Sequence, residues 1–167
     1  MRFLPTENIT YTTRLKEEEI IRRLSNIVEP EKIFRFRVFR SSSTKTYEGQ
    51  IKGQAFYIKR IIGYRNSFLP RISGIIEKDF NGLTIKVKMR LHVLVVFFLC
   101  IWCSGVGFAC LAVFPQVFAD SEFNPVTLVP FAMLIVVYLL TLGSFKFESN
   151  KSKIDLKKIF EADVIEG

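Results

Sequence analysis

Two long stretches without a charged side chain dominate the second half of this 167-residue sequence. No Asp, Glu, Lys or Arg lies between Leu91 and Ala119, and the core of that stretch, 93–114, reads VLVVFFLCIWCSGVGFACLAVF. A second uncharged run, 123–145, reads FNPVTLVPFAMLIVVYLLTLGSF. A helix needs about 20 mostly apolar residues to cross about 30 Å of hydrocarbon. Two such runs in one small chain predict a transmembrane helical hairpin over 92–144, with spans at about 93–114 and 124–144. Pro125 and Pro130 fall in the first turns of the second span, where proline is tolerated, and Gly143-Ser144 is expected to close it.

Charge is distributed the opposite way. Residues 1–92 hold 19 Lys/Arg against 9 Asp/Glu, whereas 93–145 hold only Asp120 and Glu122, and 146–167 hold five of each sign. The net charge of +8 therefore belongs to the N-terminal part. Lys86, Lys88 and Arg90 precede the first span, Lys146, Lys151 and Lys153 follow the second, and the link around Asp120 has no basic residue. The positive-inside rule then predicts both termini in the cytoplasm. The opening MRFLP lacks the apolar core of a secretory signal, so the N-terminus is expected to stay where it is made.

Ser104, Gly105 and Gly107 give the first span a patch of small residues. Such residues let helix backbones approach closely, either between the two spans or between copies of the chain. Cys100, Cys103 and Cys110 lie in the same span. A Cys-x-x-Cys there invites a redox or metal reading, but no His, Asp or Glu lies among them, and they are read instead as small apolar packing residues. No metal or cofactor is expected.

The remaining residues, 1–91 with 145–167, are expected to form one cytoplasmic α+β domain: an antiparallel sheet of about four to six strands with covering helices, interrupted by the hairpin. Ile9–Thr13, mostly β-branched, reads as a short strand. From Lys16 to Val28 the apolar positions recur at helical spacing, three glutamates open the segment, and Arg22 and Arg23 are expected to face solvent. Alternation predicts strands at 33–39, 47–51, 55–62, 71–77 and 83–91, with Asn81-Gly82 as a hairpin turn. FKFES at 145–149 reads as a further strand and 153–162 as a closing helix.

Enzyme signatures are missing. The single histidine, His92, sits at the entrance of the first span, and there is no phosphate-binding glycine loop, nucleophile elbow or paired set of metal ligands. The most distinctive segment is GYRNSFLP at 63–70. Arg65, Asn66 and Ser67, with Lys59, Arg60 and Arg71 nearby, offer donors to an anion; the favoured reading is a structured turn in which Asn66 and Ser67 satisfy local backbone while Phe68 and Leu69 fill the core. Lys86, Lys88 and Arg90, on one face of a strand entering the membrane, are placed to meet anionic lipid headgroups. Nucleic-acid binding is disfavoured because no reader motif is present.

The strings YEGQIKGQAFYIKRIIGYRNSFLPRISGIIE, IKVKMRLH before a span and FKFES after a second span resemble a family of small uncharacterised bacterial inner-membrane proteins. The resemblance covers about 47–160 and implies a strand-rich segment, a two-helix hairpin and a bacterial inner-membrane setting, with no activity or functional residue to carry over. The expected function is a non-enzymatic membrane module whose basic domain docks on anionic lipid or a protein partner, as an accessory subunit. The alternative is a ligand-gated effector that senses an anionic small molecule and self-associates through the hairpin. An enzyme acting on a membrane substrate is the least supported.

Overall fold

A computed structural model describes residues 4–30, 45–79, 82–119 and 125–165, with backbone alone at 116–119 and 165. The elements run β1 (Thr6–Thr13), α1 (Glu17–Ile27), β2 (Val28–Pro30), β3 (Tyr47–Lys52), β4 (Ala55–Arg60), β5 (Arg71–Asp79), β6 (Gly82–Arg90), α2 (Val93–Ala119), a single 3-10 turn (Pro125–Leu128), α3 (Val129–Phe160) and β7 (Asp163–Ile165). The α+β class is as expected. The sheet has seven strands rather than four to six, in the order β2-β3-β4-β5-β6-β1-β7. The extra strands are the three-residue edges β2 and β7, too short to show an alternation. β2 pairs with β3 in parallel and every other pair is antiparallel. The strand expected at 33–39 lies outside the described residues.

One face of the sheet is covered and the other is bare. Period-two alternation turns Ile9 and Tyr11, Phe56 and Ile58, Ile72 and Ile76, and Ile85, Val87 and Met89 into a common core. Gly74 belongs to this inner face because the Phe56 ring lies over it: a Cβ there would come within 2.0 Å of that ring. α1 contributes Ile20 and Leu24, both fully buried.

The second cover is not what the sequence predicts. The helix does not close at Gly143-Ser144, and 145–149 is not a strand: α3 continues unbroken for 32 residues. Its second half carries Phe145, Ser149, Ser152, Leu156 and Phe160 at helical spacing, all fully buried against the sheet. Extending an existing helix adds one hydrogen bond per residue fixed, whereas a new strand needs a fresh partner edge. Glycine next to serine, at about 1 kcal/mol or less below alanine in helix propensity, is too weak a breaker to stop it. Phe147, which an alternating strand would place with Phe145, is instead 59% exposed.

The far end of α3 is fixed by capping. Glu161 adopts the left-handed conformation, the Thr13 hydroxyl donates to the Phe160 carbonyl at 2.8 Å, and Arg23 donates to the Ile159 carbonyl at 3.1 Å and to Glu161 at 2.7 Å. Arg23 therefore does not face solvent as expected; it supplies positive charge to a helix C-terminus whose carbonyls have no helical donors. Arg22 does remain exposed.

α2 and the segment from the 3-10 turn through α3 are long and apolar enough to cross a membrane, and only 6% of the most apolar window of each is buried. A core helix of a soluble domain of the same composition would be mostly buried. The 3-10 turn and residues 129–144 together rise about 32 Å, which matches about 30 Å of hydrocarbon, and the remaining 16 residues of α3 extend about 24 Å beyond it.

Candidate functional site

Strand parity decides where each candidate side chain goes. β4 turns Phe56, Ile58 and Arg60 inward and Tyr57 and Lys59 outward; β5 turns Arg71 and Ser73 outward; β6 turns Lys86, Lys88 and Arg90 outward. The register then sets Lys59 opposite Arg71, and Arg71 opposite Arg90, in one row across three adjacent strands. Lys88 and Lys86 occupy the next two rows, opposite Ser73 and Ile75. The row of three cations lies at the end of β6 that leads through Leu91 and His92 into α2, so the bare face is most basic where the apolar helices begin.

These cations differ in their partners. Lys59 pairs with Glu48 at 3.1 Å and Lys86 with Glu77 at 2.6 Å. Arg71, Lys88 and Arg90 have no carboxylate partner among the described residues, and all three are exposed. A groove of about 310 Å³ opens beside the row, with Tyr57, Lys59, Arg71, Ser73, Arg90 and Val93 in its lining. Partial burial pushes the His92 imidazole below its ordinary pKa, and the charges of Arg71 and Lys59 push it further the same way.

Arg60 stands apart from its neighbours in sequence. It points to the inner face and meets α3, with Glu148 at 3.8 Å and Asp155 at 3.4 Å. Glu148 is fully buried, accepts a hydrogen bond from the Tyr64 hydroxyl and lies 3.8 Å from Lys151. The Tyr47 hydroxyl donates to Asp155 at 3.3 Å, and burial pushes the Tyr47 phenol above its ordinary pKa. On the other flank of the helix, Glu7 of β1 is bonded to Lys146 and, at 2.9 Å, to Lys153. Burial alone would raise the Glu7 carboxyl, but hydrogen bonds and charges from the two lysines outweigh it and hold it below the usual carboxylate range. Sequence reasoning missed Glu7, Tyr47, Glu148 and Asp155. The available signal was the seven-residue spacing of Glu148 with Asp155 and of Lys146 with Lys153, which aligns each pair on one flank only if the segment is helical.

The 63–70 loop divides its donors. Asn66 Oδ1 accepts from the Phe68 backbone N–H at 2.9 Å, and Phe68 packs against the core, so part of the segment is a self-satisfied turn. Arg65 and Ser67 remain exposed. With Asn66 they line a shallow cleft of about 580 Å³ against Gly143, Ser144 and Phe147 of α3, at the level where that helix changes from apolar to polar. The structure thus separates the candidate anion site into an outer row, a loop edge and an inward Arg60.

In α2, Ser104 donates back to the Cys100 carbonyl at 2.8 Å, and a Cβ placed on Gly105 or Gly107 would meet nothing within 4 Å. Neither glycine position is packed on α3. Cys100, Cys103 and Cys110 are free thiols, the first two exposed and the third buried. No protein-family model, curated protein or solved structure matches the chain, so what stands of the resemblance is its architecture: a strand-rich sheet joined to two helices long and apolar enough to cross a membrane.

Proposed function

We propose that the chain is a non-enzymatic integral membrane protein. In this reading α2 and the first half of α3 span the bilayer, and the basic domain docks on anionic lipid at the cytoplasmic surface. The observation that carries it is the unbroken α3: its exposed apolar half needs hydrocarbon, its second half is bolted to the sheet, and the domain is therefore held at the boundary. The cation row at that boundary fits the negative surface of a cytoplasmic leaflet, where each basic residue near the surface contributes about 1 kcal/mol. The positive-inside rule gives both termini to the cytoplasm, and the resemblance gives a bacterial inner membrane as the setting.

The test is alkaline extraction of membranes carrying the full chain, followed by analysis of the lipids that co-purify. Retention in the pellet and enrichment of anionic lipid, lost in a Lys86→Gln, Lys88→Gln, Arg90→Gln variant, is the expected result. Release by alkali contradicts the spanning helices. Equal lipid content in the variant, or capture of an acidic protein by the same charges, replaces lipid docking with an accessory-subunit role.

A second reading, a ligand-gated effector, draws on the cleft at Arg65 and Ser67 and on the open face at Gly105 and Gly107. It requires that a nucleotide or similar anion change the oligomeric state in detergent. A chain that stays monomeric with and without such anions removes it.

A further inference from the structure

We propose that the groove beside the start of α2 binds the phosphate group of a single anionic phospholipid, gripped between Arg71 and Arg90. The inference rests on the reading that α2 and α3 lie in a bilayer, and it replaces a diffuse charge attraction with one defined site.

Arg71 and Arg90 are direct register partners on two neighbouring strands inside the sheet. Side chains so placed start about 4.5–5.5 Å apart at Cβ, and like charges directly opposite destabilise the pair. On this face Lys59 has Glu48, a carboxylate in the groove's own lining, and Lys86 has Glu77. Arg71, Arg90 and, one row away, Lys88 have no carboxylate partner among the described residues, and of these only Arg71 and Arg90 face each other in the row next to the apolar helices. A phosphate between the two guanidinium groups turns the repulsion into attraction, because each planar fork can donate two parallel hydrogen bonds to its oxygens.

The surroundings favour a lipid over a free anion. The groove's lining runs from the two arginines to Tyr57, 57% exposed, and Val93, 77% exposed. From Val93 onward α2 is an exposed apolar helix, with Leu94 and Phe97 also open. A headgroup at the arginines therefore has apolar surface for its acyl chains within the same site.

The experiment uses the full chain in nanodiscs of phosphatidylcholine with a minor fraction of phosphatidylglycerol. Native mass spectrometry counts the lipid that stays bound. One phosphatidylglycerol should be retained, and Arg71→Gln and Arg90→Gln should each weaken its retention about tenfold or more. Lys52→Gln and Lys157→Gln, which remove the same charge from exposed positions outside the groove and outside the basic row, should leave it unchanged. Inorganic phosphate added in excess should not displace it. If all four variants weaken retention alike, or none does, the site is overturned while membrane docking stands. Displacement by inorganic phosphate or by an acidic peptide overturns the lipid as ligand. Release of the chain from membranes by alkali overturns the bilayer reading itself, and is read before any lipid is counted.

Discussion

The two halves of α3 share one backbone and differ in what covers them. Residues 129–144 leave Ile135, Val136, Leu139 and Leu140 more than half exposed, whereas 145–160 bury Phe145, Leu156 and Phe160 completely, together with Glu148, Ser149 and Ser152. The first half packs only along one stripe that includes the buried Thr141, leaves most of its apolar surface open and depends on its surroundings being apolar. The second half brings its own polar groups and finds a partner for most of them on the sheet. Ser149 donates to the Met89 sulfur at 3.2 Å, Lys146 and Lys153 meet Glu7, and Glu148 and Asp155 meet Arg60. Hydrogen bonding makes both halves helical; the side chains decide what each half rests against.

The sharpest break in this comparison comes from truncating one apolar residue in each half. Phe160 packs edge-on to Tyr11 at 5.7 Å and against Phe56 at 6.1 Å, so Phe160→Ala should cost about 4 kcal/mol in detergent unfolding. Leu139→Ala, at an exposed position, should change the same measurement by less than about 0.5 kcal/mol. Equal losses at the two sites would mean that the halves are not differently packed.

The next effect is electrostatic. Arg60→Ala leaves the fully buried Glu148 without its inward cation and should cost about 3 kcal/mol. Replacing both residues together, Arg60→Met with Glu148→Leu, should recover a large part of that loss, because an apolar pair needs no charge compensation. A double variant no more stable than Arg60→Ala alone would show that the pair does not seat the helix.

Acid should loosen the same half of α3 from its other flank. The Glu7 carboxyl is held below its ordinary value in the folded chain, so its contribution is complete above that ordinary value and is lost as the pH falls through the lower, folded one. Glu7→Gln should cost about 1–2 kcal/mol near neutral pH and flatten the acid limb of the stability curve. An unchanged acid limb would assign that pH dependence elsewhere. The smallest effect belongs to the open face of α2. Gly105→Leu should leave the unfolding of the single chain within about 0.5 kcal/mol, and a change in oligomeric state in the same variant would reveal contact between copies.

Most of the domain was legible in the residues. The alternation of Leu83, Ile85, Val87 and Met89 with Lys86, Lys88 and Arg90 read correctly as a strand with one buried and one basic face, and so did the stripe that makes α1. The α3 junction misled because FKFES satisfies a strand's alternation over five residues, while the buried set 145, 149, 152, 156 and 160 shows its period only across 16. The candidate site was half legible. Parity along β4 separates Arg60 from Lys59, but only the register reveals that Lys59, Arg71 and Arg90 stand in one row. Glu7 carried no local signal, since its partners Lys146 and Lys153 are about 140 residues away in sequence.

One continuous helix passing from lipid into the domain lies at the heart of the proposed function. Nitroxide labels placed one at a time from 129 to 160, in a chain whose three native cysteines are replaced, test it in reconstituted bilayers by collision with oxygen and with a water-soluble nickel complex. The structure predicts oxygen access and nickel exclusion up to about 143. Beyond that it predicts a helical period in which 145, 149, 152, 156 and 160 are shielded from both reagents. Nickel access throughout 129–143, or a two-residue period from 145 to 149, would contradict it.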